Sequence, residues 1–184
     1  ALPILTDLVR EVVAPFNQTR EQVRMALQPV PAMPLRRVSM KRLLGNLIDN
    51  ALNHGGGSVE VASYVAGESA APYVVLSVLD RGQGIDPAEV DSIFNPFIRG
   101  DKARGGKGTG LGLAIVKRIA AQHGGSVELR NRDGGGLEAR VCRNRRRGRR
   151  CGRRPPTSWP RWPRHSRCSR RRTGTAGSTP RPGS

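Results

Sequence analysis

The stretch GDKARGGKGTGLGLAIVKRIAAQHGG, Gly100 to Gly125, decides how the chain is read. Glycines at 106, 108, 110 and 112 alternate with other residues and then give way to Leu113, Ala114, Ile115 and Val116, the start of a helical pattern. With no side chains in the way, backbone N–H groups at that helix N-terminus stay open, and the dipole together with the unpaired donors favours an anion such as a phosphate. A flexible glycine linker before an ordinary helix has the same local appearance, so this stretch alone leaves both readings open.

Downstream, Leu111 to His123 reads as a helix closed by Gly124 and Gly125, and Ser126 to Arg130 and Gly136 to Val141 form a hairpin around the turn NRDGGG. Upstream, the glycines are preceded by a polar, glycine-rich loop from Asn95 to Gly110 and by a short helix from Pro87 to Ile93. Strands are expected at Ser58 to Ala66 and Pro72 to Leu79; the second, nearly continuous YVVLSVL, is the central one. A helix from Met40 to Asn53, N-capped by Ser39 and stopped by Gly55 to Gly57, carries Leu43, Leu44, Leu47, Ile48, Ala51 and Leu52 on a wide apolar stripe. Ahead of it come an amphipathic helix from Leu2 to Asn17, a strand at Gln22 to Leu27 with Val23, Met25 and Leu27 on its buried side, and a short extended piece at Leu35 to Val38. Helices recur between strand pairs rather than after single strands, which predicts an α+β domain with a mixed or antiparallel sheet and helices on one face.

The 184 residues carry a formal charge of +18, but the excess is local. Residues 1–141 hold 17 Lys and Arg against 14 Asp and Glu, whereas residues 142–184 hold 15 Arg and no acid. That second segment lacks Leu, Ile, Val, Met, Phe, Tyr and Lys, so it cannot bury enough apolar surface to offset its ordering entropy and reads as disordered. Residues 1–141 therefore form the domain and 142–184 an arginine-rich tail. All three cysteines, Cys142, Cys151 and Cys168, fall in the tail without zinc-ligand spacing, which argues against a metal cluster or disulfide framework and fits a reducing compartment. No apolar run is long enough to span a bilayer, and ALPILTDLVR lacks a signal-peptide layout.

Three further constellations bear on chemistry. Asn46, Asn50 and Asn53 stack at i, i+4 and i+7 on one helix although asparagine is a poor helix-interior residue; an amide oxygen suits Mg²⁺ beside substrate phosphates, and a solvated polar face is the plainer alternative. Asp80 ends a buried strand, and Gly82 and Gly84 after it let backbone approach a flat ligand whose exocyclic amine the carboxylate could accept, with Ile85 against the ring; surface turns of this composition are also common. Phe94 and Phe97 sit among Arg99, Lys102, Arg104 and Lys107 on a glycine-hinged segment, as a lid over a triphosphate or a merely solvated basic loop would.

In order and spacing these segments, NLIDNALNHG (46–55), DRGQGID (80–86), FNPFIRGD (94–101) and GTGLGLAIVKRIAAQHGG (108–125), resemble the N, G1, F and G2 boxes of the ATP-binding domain of sensor histidine kinases. With FIRGDKAR and GTGLGLAIV, the resemblance is nearest to the bacterial osmosensor kinases. It implies a two-layer α/β sandwich of the Bergerat type, with a mostly antiparallel mixed sheet, holding ATP and Mg²⁺. It further implies Asn50 as metal ligand, with Asn46 and Asn53 beside it, Asp80 on the adenine amine, and Gly82, Gly84 and Ile85 along the base. Phe97, Arg99 and Lys107 would belong to the lid, and Gly108, Thr109, Gly110, Leu111, Gly112 and Leu113 to the phosphate wrap. His54 could approach the nucleotide or pack at the surface, while His123 looks like a helix C-cap partner.

Related ATPases of the gyrase, heat-shock and mismatch-repair type place a glutamate general base four residues before the metal-binding asparagine; here Asn46 stands there, and an amide cannot take that proton. Transfer to a dedicated acceptor is favoured over hydrolysis, and the missing G-x-x-x-x-G-K-[ST] motif excludes a P-loop NTPase. None of His54, His123 and His165 has the neighbours of the family's phosphoacceptor, so the chain holds the nucleotide half of a kinase and no catalytic side chain of its own is assigned. The resemblance implies as partners a histidine-bearing dimerisation domain, through which alone it would dimerise, and a response regulator, with no specific nucleic acid. It places the domain in the cytoplasm and the full-length protein in the inner membrane. The last strand departs from the family where GGGLEARV runs into CRNRRRGRRCGRR. This tail is either a natural basic extension for nucleic acid or membrane, or an out-of-frame product of a GC-rich gene; arginine without lysine favours the latter. A basic nucleic-acid-binding protein and an anti-sigma-type serine kinase on the same fold are the alternative functions.

Overall fold

The computed structural model describes residues 4–67, 72–90, 92–96 and 110–144. Its elements run α1 (Ile4–Val13), a turn of 3-10 helix (Ala14–Asn17), β1 (Val23–Leu27), α2 (Arg37–His54), β2 (Val59–Ala66), β3 (Tyr73–Leu79), α3 (Gly112–Gln122), β4 (Gly125–Asn131) and β5 (Leu137–Asn144). The strands form one sheet in the order β1-β2-β3-β5-β4. β1 lies parallel to β2, with Val23 opposite Val59, because α2 crosses over between them. The other three pairings are antiparallel, which gives the mixed, mostly antiparallel sheet expected from the element order. β3 is central and all seven of its residues are buried.

The period-2 alternation of each strand sorts its residues between two faces. On the inner face Val59 and Val61, Val74, Leu76 and Val78, Leu129, and Ala139 and Val141 form one core with the helices. Leu5, Leu8 and Val9 come from α1, Leu43, Leu44, Leu47 and Ile48 from α2, and Leu113, Val116 and Ile119 from α3. The four α2 side chains are buried to 2% exposure or less, and each contributes about 1.5–3 kcal/mol by leaving water. Asn17 fixes the approach to β1: its Oδ1 accepts from Gln22 N–H at 3.0 Å and Val23 N–H at 2.9 Å, and its Nδ2 donates to Val23 O at 2.7 Å.

The outer face has a second cluster of Tyr64, Ala66, Tyr73, Val75 and Cys142. Beside it Arg140, with no exposed surface, donates from Nη2 to the Tyr64 hydroxyl at 3.0 Å, and its Nε stands 3.6 Å from a Glu138 oxygen. Glu138 in turn accepts from Ser77 Oγ at 2.9 Å.

Several local expectations change. The piece at 35–38 is not extended throughout, because α2 begins at Arg37 and its N-cap is Arg36 rather than Ser39. β-branched Val38 suggested a strand locally, but it stands 83% exposed on the first turn of a helix anchored by the buried stripe that follows. Residues 87–90 and 92–93, expected in a helix, form turns, with i to i+3 bonds such as Glu89 N–H to Asp86 O at 2.9 Å and Ser92 N–H to Glu89 O at 3.1 Å. Met25, expected inside, is 45% exposed because β1 is an edge strand at the rim of the helical layer. β5 continues three residues beyond Val141, paired with β3 and β4, and the alternation turns Cys142 onto the buried outer face. Cys142 is disulfide-bonded, against the expectation from spacing, which does not by itself settle pairing. The rest of the arginine-rich tail, from residue 145 on, lies outside the described residues, and no described helix is long and apolar enough to cross a membrane.

Candidate functional site

The C-terminal end of α2 docks directly on the segment after β3. A side chain at Gly55 has no room: an ideal Cβ there would lie 2.2 Å from Ala51 O and 2.3 Å from Asp80 Cβ. One at Gly82 would lie 2.3 Å from His54 O, and Arg81 N–H donates to Gly55 O at 3.2 Å. Glycine at 55 and 82 is therefore what lets the asparagine helix and the DRGQGID segment touch.

Asp80 is 7% exposed, and its carboxylate is held from one side only. Oδ1 accepts from Gly82 N–H at 2.9 Å and from Leu137 N–H at 3.0 Å. No described residue bonds the second oxygen, Oδ2, so a buried carboxylate of fixed orientation keeps an acceptor in reserve.

Near the middle of α2, Asn46 Nδ2 donates to Arg42 O at 2.9 Å, and its Oδ1 lies 3.6 Å from where a Cβ at Gly112 would be. The first residue of α3 thus faces the first of the three amides. Asn50, one turn further along, is half-buried, and its amide is bonded by no described residue. Asn53 is exposed and equally uncommitted. One helix therefore joins Gly112 at one end of this surface to Asp80 at the other, through contacts nine residues apart, about 13 Å along its axis. Among the described residues no three His, Cys, Asp or Glu side chains gather to hold a metal. An amide row beside an open helix N-terminus suits a cation that arrives with phosphates and keeps its waters.

Of the other candidates, Gly84 adopts φ of +76° and Ile85 is half-buried against the core. Gly110, at φ of +68°, and Leu111 lead into α3, whereas the Leu113 side chain packs in the core and only its backbone is available. Phe97, Arg99, Lys107, Gly108 and Thr109 lie outside the described residues. Phe94 is half-buried against the core, and Lys117 Nζ of α3 stands 5.4 Å from its ring centroid, within cation–π range. His54 is exposed, and only its backbone meets the site, at Gly82. His123 is the C-cap residue of α3, Nδ1 bonding Ile119 O at 2.9 Å; Nε2 also accepts from Arg36 N–H at 3.2 Å, so this ring ties the end of α3 to the start of α2.

Sequence reasoning placed the β4–β5 turn but missed that it reaches Asp80. Arg132 Nη1 donates to Asp80 O at 2.5 Å, and Asp80 N–H donates to Leu137 O at 2.9 Å. Burial and the neighbouring Arg81 draw the Arg132 guanidinium pKa below its ordinary value. Three successive glycines, 134 to 136, all at positive φ, were the available signal: they exceed what a plain hairpin needs.

Residues 36–146 match the family model of histidine kinase-, DNA gyrase B- and HSP90-like ATPases. A sensor histidine kinase component, HK1, of Mycobacterium tuberculosis is 35% identical over 137 residues, 74% of this chain and 79% of that protein. A probable sensor histidine kinase of the same species is 36% identical over 141 residues, but the match spans only 36% of its length against 77% of this chain. The histidine kinase domain of the Escherichia coli osmosensor EnvZ superposes with a TM-score of 0.58 at 33% identity, covering 85% of this chain and 98% of that one. The mycobacterial sensor histidine kinase MprB, at 23% identity and a TM-score of 0.64 over 76% of this chain and 95% of the other, shares the fold. With its mixed sheet under three helices, its amide row and its fixed aspartate, the chain belongs to the histidine kinase-, DNA gyrase B- and HSP90-like ATPase family, as an ATP-binding catalytic domain of the sensor histidine kinase type.

Proposed function

We propose that this domain binds Mg·ATP across α2 and donates the γ-phosphoryl group to a histidine on a separate dimerisation domain. The observation that supports the reading is that α2 meets Gly112 at Asn46 and Asp80 at Gly55, with the carboxylate oriented by two backbone N–H groups and one oxygen to spare. Asp80 Oδ2 accepts from the adenine amine, Ile85 and Gly82 line the base, and the start of α3 offers N–H groups to phosphates. Asn50 is the residue that would ligate Mg²⁺, which neutralises charge on the β- and γ-phosphates when bound. The lid residues Phe97, Arg99 and Lys107, with Gly108 and Thr109, complete the site in this reading. Because position 46 is an amide, no described side chain there serves as general base for water.

A histidine-bearing domain and a response regulator follow as partners, with the whole kinase anchored in the inner membrane and the arginine-rich tail beyond β5, residues 145–184, an appendage to the domain. Binding of a fluorescent ATP analogue with and without Mg²⁺ tests the site. Asn50→Ala is expected to weaken binding about tenfold or more, and only in the presence of Mg²⁺; Asp80→Asn is expected to weaken it under both conditions. Unchanged Mg²⁺-dependent affinity in Asn50→Ala would refute the metal assignment.

A further inference from the structure

We infer that Asn131, at the end of β4, is a positioning residue that selects for adenine by holding the Asp80–Ile85 segment in its base-binding shape. The inference rests on the reading that Asp80 meets the base. Asn131 Oδ1 accepts from Ile85 N–H at 2.8 Å while its Nδ2 donates to Ile85 O at 2.7 Å, so one side-chain amide satisfies both backbone groups of one residue 46 positions away. Asn131 is exposed, and water is open to it; its donor and acceptor nevertheless both engage the other loop. The amide stands in for a β-strand partner just where β4 ends. The approach is close: an ideal Cβ at Gly84 would lie 2.5 Å from Asn131 Oδ1.

The other end of the segment is held by the same turn. Leu137 N–H and Arg132 Nη1 reach Asp80, and Gly136, at φ of +105°, leaves no room for a side chain, since its Cβ would fall 2.2 Å from Asp80 O. Asp80 is thereby fixed at one end and Ile85 at the other, with Gly82 and Gly84 spanning between. Selectivity for an exocyclic amine needs a carboxylate and a ring-facing residue at a set separation, and glycines alone would let that separation drift. Asn131 supplies the second fixed point without touching the base.

The test measures affinity of the full chain for two probes, ATP and the purine riboside triphosphate that lacks the 6-amino group. The ratio of the two affinities reports recognition of the amine. Wild type is expected to favour ATP about tenfold or more, and Asn131→Ala to lose most of that preference by weakening ATP binding while the amine-less probe changes little. Asn131→Asp keeps the acceptor for Ile85 N–H and loses the donor to Ile85 O, and is expected to fall between. Asp133→Ala, an exposed site in the same turn, is expected to leave the ratio unchanged. A wild-type ratio near one would overturn the assignment of Asp80 itself. A wild-type preference that persists in Asn131→Ala would overturn this inference alone. Should Asn131→Ala not fold, Asn131→Asp gives the answer; unfolding of both would make the residue a structural one and equally overturn the inference.

Discussion

Glycine 55 ends α2 against the Cβ of Asp80 with no room for even a methyl group. Gly55→Ala is therefore expected to do what an ordinary helix-terminal alanine does not: push the helix end off the aspartate and weaken ATP-analogue binding together with thermal stability. Calorimetric melting alongside a binding titration checks both, and retained affinity with a normal melt would contradict the contact. His123 works differently. With Nδ1–H donating to Ile119 O, its Nε2 is the acceptor for Arg36 N–H, an otherwise orphaned donor at the start of α2. His123→Ala is expected to cost about 1 kcal/mol in denaturant unfolding while leaving nucleotide affinity unchanged, because the ring touches no part of the α2–Asp80 surface.

Among the elements, α2 has two tasks, to seal the core and to carry the amides. Leu47→Ala, at a position 2% exposed, is expected to cost about 2–5 kcal/mol and to lower apparent ATP affinity only through the unfolded fraction. Saturating stabilisers should restore that affinity. β2 carries a different kind of load. Glu60 Oε1 is buried without a hydrogen-bond partner among the described residues, and burial raises the carboxyl above its ordinary value of 4.5 against the pull of Arg132, Arg81 and Arg24. A carboxyl whose folded pKa is raised destabilises the fold when charged, so the penalty is present at neutral pH and disappears as pH falls below the unfolded value. Glu60→Gln is expected to stabilise the domain at neutral pH and to lose that advantage near pH ~4, as read by urea unfolding at the two pH values.

At the scale of the whole molecule, the sheet brings the two ends of the chain's chemistry together. The β4–β5 turn, more than fifty residues after Asp80, closes on it because β5 pairs with β3 and sets Glu138 opposite Leu79. A chain with the site but no phosphoacceptor context around its histidines is expected to show no autophosphorylation. Adding a dimerisation domain bearing the acceptor histidine is expected to give an acid-labile phosphoprotein. An acid-stable phosphoserine product would instead indicate the serine-kinase alternative.

The sequence by itself determined the elements whose pattern outlasts local noise. The apolar stripe from Leu43 to Ala51 and the unbroken YVVLSVL each force one structure through burial, whatever else the chain does. It also named the amides and the aspartate, since asparagine in a helix and a carboxylate at the end of a buried strand are conspicuous in a single dimension. Only the tertiary structure decided that Arg37 starts α2, that Cys142 and Arg140 face a buried outer side, and that Asn131, Arg132 and Gly136 meet the Asp80–Ile85 segment. Those facts arise from pairings of residues distant in the chain, where strand register fixes which side chain meets which, and register is a property of the assembled sheet rather than of any stretch within it.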